Sequence, residues 1–315
     1  VEIDPTIIEK ERVNTTASQK PGASVVVVTY NTNEKLLIEN LNSLVNQSAE
    51  NFEIIVVDNS DKKDLESIVC DFPVTYIKLK ENAGLSVGRN VGTSRARGDI
   101  VIFLDDDAVP ARDFVQEHIK AYQTHDIAGL RGKALPRTNT IYNYLASTYD
   151  LGDKVIPHYI NLEGNSSVKK DILVQMGGFY WQIKGAGGYE GAELSYRIVN
   201  HFKDRNKLIY YPGPVIYHDN CGSFLKYYQK RKRHLKYKEQ LTEKYPDLFA
   251  FMDSYPLPQE IKPASEHPFF IKLKLWLIRK NLSLLLKLNQ KLLRGSSEAS
   301  RGGFLEKSPP GGRRQ

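Results

Sequence analysis

The chain has 315 residues, 41% of them hydrophobic and 26% charged, which suits a large folded domain and excludes wholesale disorder. Lys and Arg outnumber Asp and Glu by 44 to 37, a net charge of +7. The two distant cysteines, Cys70 and Cys221, exclude a disulfide framework and a thiolate zinc site and fit a reducing compartment. No run of eighteen uncharged apolar residues predicts a membrane span, and Val1–Lys20 lacks the apolar segment of a secretory signal.

A lead-in, residues 1–21, closes at the Pro21-Gly22 breaker. Ser24–Tyr30 then reads as a strand, Leu36–Val45 as a helix with its leucines on one side, Glu53–Val57 as a strand and Leu65–Val69 as a short helix. Val74–Leu79 is a strand, Leu85–Arg97 a helix despite its glycines, and Ile100–Leu104 a strand. Continuous apolar strands separated by helices predict an α/β fold with a mainly parallel, doubly wound sheet covered on both faces. Beyond Pro110, Arg112–Thr124 reads as a helix and Ile127–Arg131 as a strand, followed by an aperiodic Tyr- and Asn-rich stretch, Pro136–Ile160. Ala192–Asn200 is a helix, and Leu208–Tyr211 and Val215–Tyr217 read as two strands split by Pro212-Gly213-Pro214.

Lys226–Lys244 is strongly basic, which suits an anionic partner or a solvated helix face; outside it no interleaved aromatic and basic pattern of a nucleic-acid binder is evident. Phe269–Leu293 reads as a basic amphipathic helix, fit for a membrane interface or for packing on its own domain. The Gly-, Ser- and Arg-rich residues 295–315 read as disordered.

Three consecutive acids, Asp105, Asp106 and Asp107, fall where the strand Ile100–Leu104 leaves the sheet. Like charges so close raise one another's energy unless a cation or hydrogen-bond donors share the site. Hard divalent ions prefer carboxylate oxygens, and ligands of open α/β sheets gather at strand carboxyl ends. An acidic turn is the plainer alternative. Gly84, Gly88 and Gly92 are spaced GxxxG rather than GxGxxG, which excludes a dinucleotide fingerprint; they let a helix start lie close to a ligand.

The segments SVVVVTYN (Ser24–Asn31), IIVVDNSD (Ile54–Asp61), NAGLSVGRNVGTSRARGD (Asn82–Asp99) and FLDDDAVP (Phe103–Pro110) together resemble the family 2 glycosyltransferases, inverting enzymes of the GT-A fold. The resemblance runs from about Ser24 to His234 and continues through Gly177-Gly178-Phe179, Glu190–Arg197 and His218–Ser223. It implies a GT-A domain over 22–245, with a nucleotide-binding half (22–110) and an acceptor half (111–245), followed by a helical basic extension (246–294). It implies transfer of a hexosyl or deoxyhexosyl group from a UDP-, dTDP- or GDP-sugar to a glycan or lipid-linked acceptor hydroxyl. That activity belongs in the cytoplasm, at the inner face of a membrane, with Mn²⁺ or Mg²⁺ as cofactor and no nucleic-acid partner.

By the same resemblance Thr29, Tyr30, Asn31, Asp58, Asn82, Gly84, Arg89, Asp105 and Asp106 contact the nucleotide sugar. Asp107, Asp105 and His218 would hold the metal, and Asn165, Gly178, Trp181 and Tyr189 would line the sugar and acceptor pocket. The chain departs from the pattern at Gly191, where an acid is expected to deprotonate the acceptor; Glu190 or Glu193 would take that role, or the chain is a degenerate, non-catalytic relative. DxDxV at Asp105–Val109 also fits an aspartate-based phosphohydrolase, although that motif normally ends a first strand.

Overall fold

The structure, a computed structural model, describes residues 3–14, 20–61, 64–145, 149–180, 188–219, 221–255 and 268–302, the last of these from 290 onward as backbone only. The first half comprises β1 (Ile8–Val13), β2 (Ala23–Thr29), α1 (Glu34–Val45), β3 (Phe52–Asp58), α2 (Glu66–Val69), β4 (Thr75–Leu79), α3 (Leu85–Arg95) and β5 (Ile100–Asp105). β-Branched residues dominate β2, β3 and β5 because they suit a pleated surface buried on both sides. The strands lie in the order β4–β3–β2–β5 and pair parallel, with Val25 between Ile54 and Ile102.

Alternate residues of these strands feed two cores. Val25, Val27, Ile54 and Val56 meet Leu37, Leu41 and Leu44 of α1 on one face. Val26, Ile55, Val57 and Phe103 meet Val91 of α3 on the other. Gly88 and Gly92 make that second contact close: a Cβ there would lie 2.6 Å from Val28 and 2.3 Å from Val26. These two glycines seat α3 on β2 instead of approaching a ligand, which corrects the sequence reading of them.

β6 (Val109–Pro110), α4 (Phe114–Thr124), β7 (Gly129–Leu135), β8 (Ile156–Pro157), β9 (Asn165–Lys169) and α5 (Lys170–Gln175) follow. Then come α6 (Glu190–Phe202), β10 (Leu208–Tyr217), α7 (Phe224–Lys244), α8 (Leu248–Asp253) and α9 (Phe269–Gly302). The sheet continues β5–β9–β7–β10–β6; β9 runs antiparallel to both its neighbours, and β7 and β10 are parallel. The result is the expected α/β architecture, a mostly parallel central sheet flanked by helices.

Four differences from the sequence reading have physical causes. Within the lead-in, Ile8–Val13 pairs antiparallel with β4 and covers an edge that would otherwise be bare. β9 has almost no apolar signal, yet it is central: buried Ser167 Oγ is 2.9 Å from His118 Nδ1 and 3.0 Å from the Tyr122 hydroxyl, so polar pairing replaces apolar packing. β10 is one strand, because a register irregularity between Tyr210 and Val215 absorbs both prolines. α9 continues to Gly302, past Gly295, where disorder was expected; residues 303–315 lie outside the described residues. Among the described residues no helix is long and apolar enough to cross a membrane.

Candidate active site

A cavity of about 880 Å³ opens at the carboxyl ends of β2 and β5, in the range that encloses a small organic ligand. Strand ends supply Tyr30 and the three acids, and the start of α3 supplies Gly84 and Arg89. Gly84 has φ +94°, a left-handed value that lets the chain turn sharply from β4 into α3. Two asparagines brace this turn. Asn59 Nδ2 donates to Asn82 Oδ1 (3.0 Å), while the N–H groups of Ala83 and Gly84 donate to Asn59 Oδ1 (2.8 Å) and Asn82 Oδ1 (3.0 Å).

Asp105 ends β5 with its carboxylate 3.7 Å from Arg89 Nη2. A Cβ on the facing Gly164 would fall 2.0 Å from that carboxylate, so only glycine leaves Asp105 its place. Burial, and after it the charge of Asp107, push the Asp106 carboxyl up to about 7, with Thr29 and Thr32 pulling the other way. Asp107 Oδ1 lies 3.2 Å from His218 Nε2. Burial alone would raise the Asp107 carboxyl, but the hydrogen bond and charge of His218 outweigh it and hold it below its ordinary value. Among the described residues no group of three His, Cys, Asp or Glu side chains could hold a metal by itself.

Of the residues expected around a nucleotide, Tyr30, Asn82, Gly84 and Arg89 line the cavity. Arg89 is 4% exposed, lies over the Phe179 ring at 5.4 Å, and has no hydrogen-bond partner for Nη1 among the described residues. Thr29 is fully buried below the floor. Asn31 takes a left-handed φ of +48° and donates Nδ2 to Asp61 Oδ1 at 2.7 Å, away from the cavity lining. Asp58 lies outside the cavity lining. It is 0% exposed and accepts from the Tyr76 hydroxyl (2.8 Å), Lys78 Nζ (3.1 Å) and the Ser60 N–H (2.9 Å). Its oxygens hold strand ends together, and Asn59 lines the cavity in its stead.

The far wall is built by the start of α6 and the loop before β9. Glu190 opens α6, and its Oε2 accepts the N–H groups of Gly188 (2.6 Å) and Tyr189 (2.9 Å), as suits an acid at a helix N-terminus. Glu193, the other candidate acid, is withdrawn from the cavity. Arg197 grips both its oxygens, at 2.7 and 2.6 Å, and its side chain is 1% exposed, so it is a buried structural ion pair. Asn165 is also corrected: it is fully buried in β9 and donates to the carbonyls of Lys133 (2.8 Å) and Pro214 (3.0 Å). Gly178 serves a turn, with φ +80° and its carbonyl accepting from Arg197 Nη2 at 2.8 Å. Tyr189 does line the cavity, 5.4 Å from the His234 ring, whereas Trp181 lies outside the described residues.

Residues 24–184, half of the chain, match the family model described as Glycosyl transferase family 2. The chain is a family 2 glycosyltransferase. It is 41% identical over 108 residues to the uncharacterized glycosyltransferase YfnE of Bacillus subtilis (strain 168), covering 33% of this chain and 28% of YfnE. It is 30% identical over 167 residues to the minor teichoic acid biosynthesis protein GgaB of the same organism, covering 48% of this chain and 18% of GgaB. The chain spans about a third of the length of the first curated relatives it matches, 28%, 35% and 29%. Among solved structures, mannosyltransferase PcManGT from Pyrobaculum calidifontis, in complex with GDP-Man and Mn²⁺, shares the fold with a TM-score of 0.52 at 20% identity, over 78% of this chain and 72% of that one. Family membership replaces the phosphohydrolase reading of Asp105–Val109.

Further residues line the cavity of this glycosyltransferase. α7 turns Lys230, Arg231 and Arg233 toward the cavity, so part of the basic block faces the site and not only solvent. Burial lowers the Lys230 ammonium, and burial and then Lys230 push His234 down to about 4. Glu163 lines the cavity beside Glu190 and accepts the Gly191 N–H at 2.9 Å. It lies at the end of an aperiodic stretch, and the only available hint was the absence of an acid at 191.

Proposed function

We propose that this glycosyltransferase moves a sugar from a nucleoside diphosphate sugar to a glycan or lipid-linked hydroxyl, with inversion and with Mn²⁺ or Mg²⁺ bound. One observation carries the reading: a single cavity sets Asp105, Asp106, Asp107 and His218 among the cations Arg89, Lys230, Arg231 and Arg233. A diphosphate has charge for both sets, directly to the cations and through a metal to the carboxylates. Asp107 and His218, whose Oδ1 and Nε2 are 3.2 Å apart on the cavity wall, would hold the ion. Two protein ligands would leave positions for diphosphate oxygens, the arrangement such ions favour. When bound, the cation would neutralise charge gathering on the departing diphosphate.

Arg89 supports the same reading, because a buried guanidinium with one nitrogen unpaired among the described residues, on a cavity wall, is set to bind an anion. Tyr30, Asn59 and Asn82 stand where a nucleoside would meet the strand ends. The partial match to a teichoic acid biosynthesis protein favours a cell-envelope polymer as acceptor. Thermal-shift titration with UDP, dTDP and GDP tests the donor site. At least one should raise Tm by several degrees with Mn²⁺, since ligand at about 100 times its Kd adds roughly 2.7 kcal/mol. No metal-dependent rise with any of the three would sink the reading.

Contact with a membrane surface extends it. α9 buries Leu275 and Leu282 but leaves Phe269, Phe270, Trp276 and Leu284 exposed by 69%, 75%, 54% and 56%, among Lys272, Lys280 and Lys287. Apolar side chains flanked by lysines suit an anionic bilayer. The chain should sediment with phosphatidylglycerol-containing vesicles more than with pure phosphatidylcholine ones, and Phe269→Ser with Trp276→Ser should cut this at least tenfold. Equal sedimentation with both vesicle types counts against the contact.

A further inference from the structure

Gly191 leaves a volume beside the cavity, and Glu163 fills it. A Cβ on Gly191 would stand 2.8 Å from Glu163 Cγ and 2.8 Å from the carbonyl oxygen of Ile160. The Gly191 N–H in turn donates to Glu163 Oε1 at 2.9 Å. The side chain that α6 lacks at this point is thus supplied from the loop before β9, and it arrives as a carboxylate on the cavity wall.

The other acids nearby are already occupied. Arg197 holds both oxygens of Glu193, and Glu190 Oε2 takes two backbone N–H groups that fix the start of α6. We propose that Glu163 is the general base of the transfer, taking the proton of the acceptor hydroxyl in place of the acid that position 191 lacks. This inference rests on the donor reading given above.

The step balances within the site. The acceptor O–H gives its proton to a Glu163 oxygen while the hydroxyl oxygen forms the new bond to the anomeric carbon. The anomeric C–O bond breaks, its electron pair leaves on the nucleoside diphosphate, and Glu163 later returns the proton to water.

The surroundings suit a proton acceptor. Burial, and after it the charge of Glu190, raise the Glu163 carboxyl, while Arg89 and the Gly191 N–H pull the other way. Lys230 of α7, with Tyr149 and Tyr159 of the preceding loop, also faces it electrostatically. A carboxylate whose affinity for protons is raised takes the proton more readily.

The experiment follows nucleotide release from UDP-glucose, UDP-N-acetylglucosamine and GDP-mannose with Mn²⁺ and water as acceptor, beside the UDP and GDP thermal shifts of each variant. Glu163→Gln keeps a carbonyl for the Gly191 N–H, and it should slow release by about 10²–10⁴-fold with the nucleotide shifts intact. Glu163→Ala should regain at least tenfold with added sodium formate, a rescue that a purely structural role would not give. Glu163→Gln should also raise Tm at pH 8 more than at pH 4. The raised carboxyl favours the folded state below its unfolded pKa, and that advantage is lost as pH rises through the folded one. Release within twofold of wild type in Glu163→Gln, or no formate rescue, overturns the proposal. Loss of the nucleotide shifts in Glu163→Gln assigns the residue to binding and also overturns it. If no nucleotide stabilises the wild type, the donor reading falls and the base assignment with it.

Discussion

Asp107→Asn lowers sugar transfer by about 10³-fold or more and removes the metal-dependent part of nucleotide stabilisation. The amide keeps the shape of the carboxylate but not its charge, so the 3.2 Å contact with His218 loses its ionic part. The carboxyl is held below its ordinary value, so it is charged throughout the neutral range and ready to bind a cation without first losing a proton. His218→Ala removes the other candidate ligand and should weaken the same metal-dependent shift. Isothermal titration of UDP and GDP against each variant, with and without Mn²⁺, checks this. An Asp107→Asn protein that still gains metal-dependent affinity would remove Asp107 from the metal site. Arg89 and the α7 cations should still bind nucleotide weakly without metal, so the loss is expected in the metal increment rather than in all binding.

Arg131→Met destabilises the whole chain, by about 3–5 kcal/mol, through the wall of the same cavity. Arg131 is fully buried in β7. Its guanidinium donates to the Gly132 carbonyl (2.9 Å), Asn161 Oδ1 (2.8 Å) and the Tyr149 carbonyl (2.6 Å), and it lies 4.9 Å from the Tyr210 ring. Burial lowers its pKa to about 10, which still leaves it charged at neutral pH. Methionine matches much of the volume but takes donors from three oxygens, two of them on residues that line the cavity. Tm should fall on the order of 10 °C, read by calorimetry. Activity at low temperature should also fall, because Tyr149 and Asn161 lose their anchor. A loss under 1 kcal/mol would mean that the pocket wall holds without it.

The first half of the sheet was legible because β2, β3 and β5 are nearly pure β-branched runs, and burial on both faces leaves no other reading of such runs. The acids after β5 were legible for the same reason, since strand ends in open α/β sheets point at ligands. β9 was not, because Asn165, Ser166 and Ser167 satisfy one another's neighbours through hydrogen bonds that have no periodicity. Asp58 looked like a ligand contact because its position is right; what the sequence could not show is that Tyr76 and Lys78, two strand residues eighteen and twenty places on, would consume its oxygens. Glu193 failed likewise, with Arg197 one helical turn away. Glu163 was hidden by distance, since nothing in a linear chain links it to Gly191.

Two dipeptides, Glu163-Gly164 and Glu190-Gly191, repeat one relation. The hydrogen of Gly164 gives up its place to Asp105, and that of Gly191 gives up its place to Glu163. Two acids, one from a strand and one from a loop, are therefore nested like tenons, each in a mortise cut by a missing side chain. One volume cannot hold both a side chain at 191 and the present position of Glu163. Grafting an aspartate onto the helix would thus evict the loop acid instead of adding to it, and any redesign of this wall must exchange the two residues together.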